Sequence, residues 1–159
     1  MTPDEMQKRN ADMHDAMIKA QRDEQSKFAY YLIALSVTAI GFSVFQTMGK
    51  GISLNQIPLA CAIVCWGLSI HFGFGYLDEL NAFMLLNIEY LRILLGVSDY
   101  IGGRELSLRA ASELLQEKRT GLHDHANKQR YSFYAGVLFF IVWHVVEMIH
   151  TSQTQIIAK

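Results

Sequence analysis

No Asp, Glu, Lys or Arg occurs between Phe28 and Gly49, or between Gly51 and Leu77, and residues 131–149 hold a single one, Glu147. Soluble helices seldom run twenty residues without charge, because one face normally meets water. A hydrocarbon core about 30 Å thick takes roughly 20 apolar residues in a helix. "FAYYLIALSVTAIGFSVFQTMG", "GISLNQIPLACAIVCWGLSIHFGFGYL" and "YSFYAGVLFFIVWHVVEMI" all reach that length. The composition agrees, with 51% hydrophobic residues and 18% charged, against about a quarter charged in soluble domains. The missing charge excludes an ordinary soluble bundle and predicts an all-α integral membrane protein with three transmembrane helices.

Other scarcities narrow the class. Proline occurs twice, at Pro3 and Pro58, so little interrupts long helices, and Pro58 opens span two where its missing N–H costs least. The two cysteines, Cys61 and Cys65, share one apolar stretch; they read as free thiols packed as small apolar groups. Residues 1–27 lack the apolar core of a cleavable signal, so the first span is expected to act as an uncleaved anchor. The chain has no P-loop, GxSxG, CxxC, HExxH or dinucleotide fingerprint, and "GFG" and "GG" are too short to cradle phosphate. "HVVEMIH" spreads its ligands around the helix with no fourth nearby, so no metal is expected, and no cofactor.

The basic residues set the topology. Lys8, Arg9, Lys19, Arg22 and Lys27 precede span one, and Arg92, Arg104, Arg109, Lys118, Arg119, Lys128 and Arg130 fall between spans two and three. The first connection and the tail after span three carry only Lys50 and Lys159. Basic residues near span ends stay inside, which predicts N-in, C-out in a cell (inner) membrane. The boundaries are 1–27 cytoplasmic amphipathic helix, 28–49 first span, 50–56 outer loop, 57–77 second span, 78–130 cytoplasmic helices, 131–149 third span and 150–159 outer tail.

The stretch "YLDELNAFMLLNIEYLRILLG" at 76–96 is oily enough for a fourth span, yet it carries Glu89 and Arg92. Charges at a bilayer centre cost about 2.5–3.5 kcal/mol each, and a fourth crossing would export six basic residues. The segment is therefore expected to continue span two into the cytoplasm, with Glu89 and Arg92 a buried pair one turn apart. Its partners are a seam of Met6, Met13, Met17 and Ala20 in 4–27 and an apolar face of Leu108, Ala111 and Leu115 in 104–120. Two helices of about 40 residues, each about 60 Å long, are expected to cross the membrane into this small bundle. "SDYIGGREL" reads as the main turn and Gly121 as a weaker break. Aromatics at Phe28, Tyr30, Tyr31, Phe74, Tyr76, Tyr131, Phe133 and Tyr134 form a belt at one depth.

Several residues are candidates for function. Ser36, Ala39, Ser43 and Thr47 make a small, mildly polar stripe on span one, joined by Ser69 and Gly73 on span two; such stripes pack helices together or line a watery path. His71, His144 and Glu147 are ionisable near membrane depth, where desolvation makes charge costly. Arg119 and His125, separated by five residues, and Arg9 and His14, separated by four, resemble the Arg-x(4–6)-His motif of HEPN-type ribonucleases. That resemblance implies His as acid or base and Arg steadying a phosphate. A solvated polar helix face is the plainer reading of both pairs. The basic residues at the junction, Lys27, Lys128 and Arg130, suit anionic lipid head groups.

In size and topology the whole chain is similar to small membrane effectors of prokaryotic antiviral systems, including CRISPR-associated ones. A lone three-helix array would leave the small-residue stripe facing lipid, so a homo-oligomer is expected. The leading expectation is a pore, channel-like assembly or membrane-perturbing effector controlled by a cytosolic protein or small-molecule trigger, with no role for DNA. A membrane-anchored HEPN-like ribonuclease and a non-conducting scaffold for a cytosolic partner are the alternatives. A cysteine placed at Arg109 should react with membrane-impermeant maleimide only from the cytoplasmic side; labelling from outside would remove the cytoplasmic helices.

Overall fold

The computed structural model describes residues 3–49, 54–94, 96 and 103–157, without the side chains of 3–18, 20–22, 25 and 153–157. Three helices account for nearly all of it: α1 (Pro3–Thr47), α2 (Ile57–Leu94) and α3 (Arg104–Ile157), with a 3₁₀ turn at Leu54–Gln56 before α2. All three are long and apolar enough to cross a membrane. Within their most apolar windows only 22%, 28% and 11% of residues are buried. Most of the apolar surface thus faces outward, the reverse of a water-soluble core and compatible with a multi-pass membrane protein.

α2 runs its 38 residues without a turn at Asp78–Glu79, so the chain does not reverse there. Its end is marked by Gly96 at φ +71°, whose N–H bonds the Ile93 carbonyl at 3.1 Å, an ending that glycine permits. Arg104 donates to the Leu94 carbonyl, adding a cation at the negative end of the helix. Pro58 is the second residue of α2, where its missing N–H has no intrahelical partner to lose. The break expected at Gly121 is absent: α3 continues through it for 54 residues. Glycine costs a helix only about 1 kcal/mol, and here the helix packs on α2, with the Glu79 carboxyl facing Gly121.

The helices pack on a seven-residue repeat. Buried positions on α2 as far as Leu80 are Leu59, Ala62, Trp66, Ser69, Gly73, Tyr76 and Leu80, alternating steps of three and four. On α3 Gln129, Gly136 and Trp143 are buried seven apart, and on α1 Ala29, Ser36 and Ser43 repeat the same step. A 3.5-residue period is the signature of left-handed, coiled-coil-like packing. α3 lies antiparallel to α2 and parallel to α1: Ala29 meets Gln129, and Phe42 meets Phe140 at 6.4 Å.

Small residues let the backbones approach. A Cβ on Gly73 would sit 2.6 Å from Gln129 Nε2 and 2.8 Å from Ile33 Cγ1, and one on Gly136 would sit 2.5 Å from Trp66 Nε1. Gly136→Ala is expected to destabilise the bundle by about 1–3 kcal/mol through overpacking. At Gly121 a Cβ would meet Glu79 no nearer than 3.7 Å, so Gly121→Ala should stabilise by about 0.5–1 kcal/mol. Thermal unfolding midpoints in detergent, moving in opposite directions, check both.

Candidate functional site

The aromatic residues expected to form a belt divide the molecule into an apolar half (28–47, 57–77 and 129–149) and a stalk (α1 before Phe28, Asp78–Leu94 and Arg104–Lys128). Phe28, Tyr30, Tyr31, Phe74, Tyr131 and Tyr134 do point outward. Tyr76 does not: it is 6% exposed and joins Ala29 and Leu80 in the core, because it falls on the buried heptad of α2.

At this level one side chain ties the three helices. Gln129 of α3 is 2% exposed; its Nε2 donates to the Ala29 carbonyl of α1 at 3.2 Å. Its own backbone carbonyl accepts from Ser69 Oγ of α2 at 3.1 Å. A buried amide left unbonded would be costly, so these bonds hold the register of the three helices. Just below, in the stalk, Lys118 Nζ of α3 lies 2.9 and 3.2 Å from the Glu79 carboxylate oxygens of α2. α2 and α3 are thus joined along the stalk, while among the described residues α1 touches α3 little.

A cleft of about 1120 Å³ lies among the three helices here. Its floor is apolar: Phe28 and Ala29 of α1, Tyr76, Leu80 and Phe83 of α2, Leu122 and Ala126 of α3. Its polar wall is one face of α3, with Gln116, Arg119, Thr120, His123, Gln129 and Arg130, and Glu24 of α1 stands opposite. Arg119, His123 and Arg130 are spaced by four and seven residues, which stacks them along one helix face. Arg130 shares one guanidinium nitrogen with Asn127 Oδ1 at 3.3 Å, leaving most of its five donors for other partners. Lys128 turns away from the cleft, bonding Asp124 at 2.6 Å and lying 6.0 Å over the Phe72 ring; that bond holds the Asp124 carboxyl below the usual carboxylate range.

The residues singled out from the sequence are placed as follows. Arg119 lines the cleft, but His125 packs against Phe72, ring centroids 6.3 Å apart, and against Gly75. Its buried Nδ1 has no hydrogen-bond partner among the described residues. Six residues turn a helix by about 600°, so this HEPN-like pair faces two sides of α3 and is not assembled within one chain. The residue that accompanies Arg119 is His123. Arg9, His14 and the methionine seam lie outside the described side chains.

Ser36, Ser43 and Ser69 are 0% exposed and Gly73 is buried, with Ala39 and Thr47 half-buried. Ser36 Oγ donates to the Leu32 carbonyl and Ser43 Oγ to the Ala39 carbonyl, both at 2.8 Å; Thr47 Oγ1 donates to the Ser43 carbonyl at 3.1 Å. Contrary to the expectation that a single chain would leave it facing outward, the stripe is turned inward and packs the helices of one chain against each other. Glu89 and Arg92 do pair, at 3.5 Å, but at 44% and 57% exposure they lie on the outside of the stalk. The expected burial fails because α2 presents another face, Ile93, to the interior. His71 is exposed beside Phe72; His144 is exposed and stacks on Phe140; Glu147 is half-buried.

Sequence reasoning missed Gln129, His123 and the two tryptophans, Trp66 and Trp143, whose indole nitrogens are buried with no partner among the described residues. The signal was present in the heptad step from Gln129 to Gly136 to Trp143, masked by the polar run "HDHANKQR" in which Gln129 sits. Compared with known families, curated proteins and solved structures, the chain matches none. What fold and site define is an all-helical chain with three helices apt to span a membrane and a cationic cleft at their junction. Gln129→Leu is expected to cost about 1–3 kcal/mol, and Ser69→Ala about 0.6 kcal/mol, the mean for interhelical bonds in membranes. Unfolding in mixed micelles checks the order; equal losses would remove Gln129 from its role.

Proposed function

We propose that the protein works in a cell (inner) membrane as a homo-oligomer, a pore-like or membrane-perturbing assembly controlled from the cytoplasm. One observation carries this reading: Leu85, Ile88, Leu91 and Leu94 of α2 are 44–69% exposed although they belong to the stalk. At 1.5 Å per residue they lie about 13–27 Å beyond Tyr76, past the aromatic level at which hydrocarbon would end. Apolar surface left in water costs about 25 cal/mol per Å², and a second copy of the chain offers a matching face. Gly41 and Gly67 of the apolar half have open space in front of them, which lets further helices approach. The likeness in size and topology to prokaryotic antiviral effectors extends the reading to defence.

A second reading has an observation of its own. Because Ser36, Ser43 and Ser69 are turned inward, their hydroxyls do not line a path between copies. That favours a non-conducting scaffold that recruits a cytosolic partner through the stalk. Native mass in detergent should give a defined oligomer that Leu85→Glu with Leu91→Glu dissociates; a strict monomer overturns the assembly. Liposomes loaded with a self-quenching dye separate the two readings, since release supports the pore and a tight oligomer without release supports the scaffold.

A further inference from the structure

We infer that the cleft between α1 and the α2–α3 pair is a binding site for one anionic phospholipid whose headgroup carries a hydroxyl. The inference rests on the membrane reading only in taking the aromatic level as the bilayer interface. Three features of the cleft converge on this occupant. First, its floor is continuous with the lipid-facing surface: Phe28 lines the cleft and is also 49% exposed, so an acyl chain can enter from the side without crossing water. Second, the charge is unbalanced. Arg119, Arg130 and His123 line one wall and Glu24 is the sole carboxylate among the described lining residues, which favours an anion over a zwitterion.

Third, the hydrogen-bond donors stand at graded depth. Arg130 is adjacent to Tyr131 at the aromatic level, His123 lies about 10 Å further out along α3, and Arg119 about 16 Å. A phosphodiester held between Arg130 and His123 would keep its tails at the level of the bilayer, and its headgroup would extend along the stalk towards Arg119. Glu24, opposite on α1, accepts a hydrogen bond from a headgroup hydroxyl. Basic pockets between membrane helices are known hosts for anionic headgroups, and this one spans the gap between α1 and the rest of the molecule. A lipid seated there contacts all three helices one step below Gln129, so its presence stabilises α1 against α3.

The test uses the full-length chain in detergent, titrated with phosphatidylglycerol, phosphatidylcholine and, as the soluble source of the same chemistry, glycerol phosphate, with binding read by native mass spectrometry. One phosphatidylglycerol per chain should be retained at least tenfold more tightly than phosphatidylcholine. Arg130→Gln with Arg119→Gln should abolish that preference, while Lys128→Gln, whose side chain is outside the cleft, should leave it intact. Equal retention of the two lipids, or preference lost only in the Lys128 variant, overturns the inference. Glycerol phosphate binding as well as the lipid overturns it in favour of a soluble anion. Circular dichroism of the double variant separates lost binding from lost folding; if it unfolds, Glu24→Gln, which keeps an oxygen to accept from the headgroup hydroxyl and removes the negative charge of the cleft, must raise affinity for phosphatidylglycerol. The native mass spectra also report the oligomer, so a monomer that retains the lipid would sink the assembly and leave this site standing.

Discussion

The bond from the Gln129 side chain to the Ala29 carbonyl, with Ser69 bonded to the Gln129 backbone, is the constraint on which the arrangement of the three helices depends. Elsewhere the apolar half is held by shape: small residues, glycines and ridges of side chains repeated every seven residues. Such packing alone admits more than one register, so a buried amide that accepts only one is what selects among them. Gly73 exists to make room for it, since any side chain there would occupy the space of the Gln129 amide.

The same constraint explains why the cleft lies where it does. Above Gln129 the helices close on one another; below it, α2 and α3 remain paired through Glu79 and Lys118, and α1 has no comparable tie to α3 among the described residues. A space opens, lined by whatever α3 presents on the face that α1 leaves. That face carries arginine and histidine, and the apolar floor is supplied by the core residues of the junction itself.

How much of this could be read from the sequence differs by residue. The three apolar runs and the passage of α2 through Asp78–Glu79 follow from charge placement, because moving charge into hydrocarbon is costly at any position. The face each helix turns inward did not follow. Tyr76 resembles a belt residue by composition, yet the heptad of α2 buries it, and Glu89–Arg92 pair as their spacing requires but on the outer side. Gly121 looks like a break and is not one, because tertiary contact outweighs the modest helix penalty of a single glycine. Arg119 and His125 satisfy a spacing rule while pointing apart. A polar stripe such as Ser36–Ser43 is ambiguous between packing and a path until its neighbours are known, and here the neighbours are in the same chain.

α3 is continuous for 54 residues, a rod of about 80 Å from the stalk tip to the far end of the apolar half. From Arg104 to Ile157 no break in the helix interrupts it. Each degree of tilt at one end displaces the other by about 1.4 Å at that length, roughly a bond length per degree. Whatever settles against the outer reaches of this helix therefore acts as a hand on a long lever.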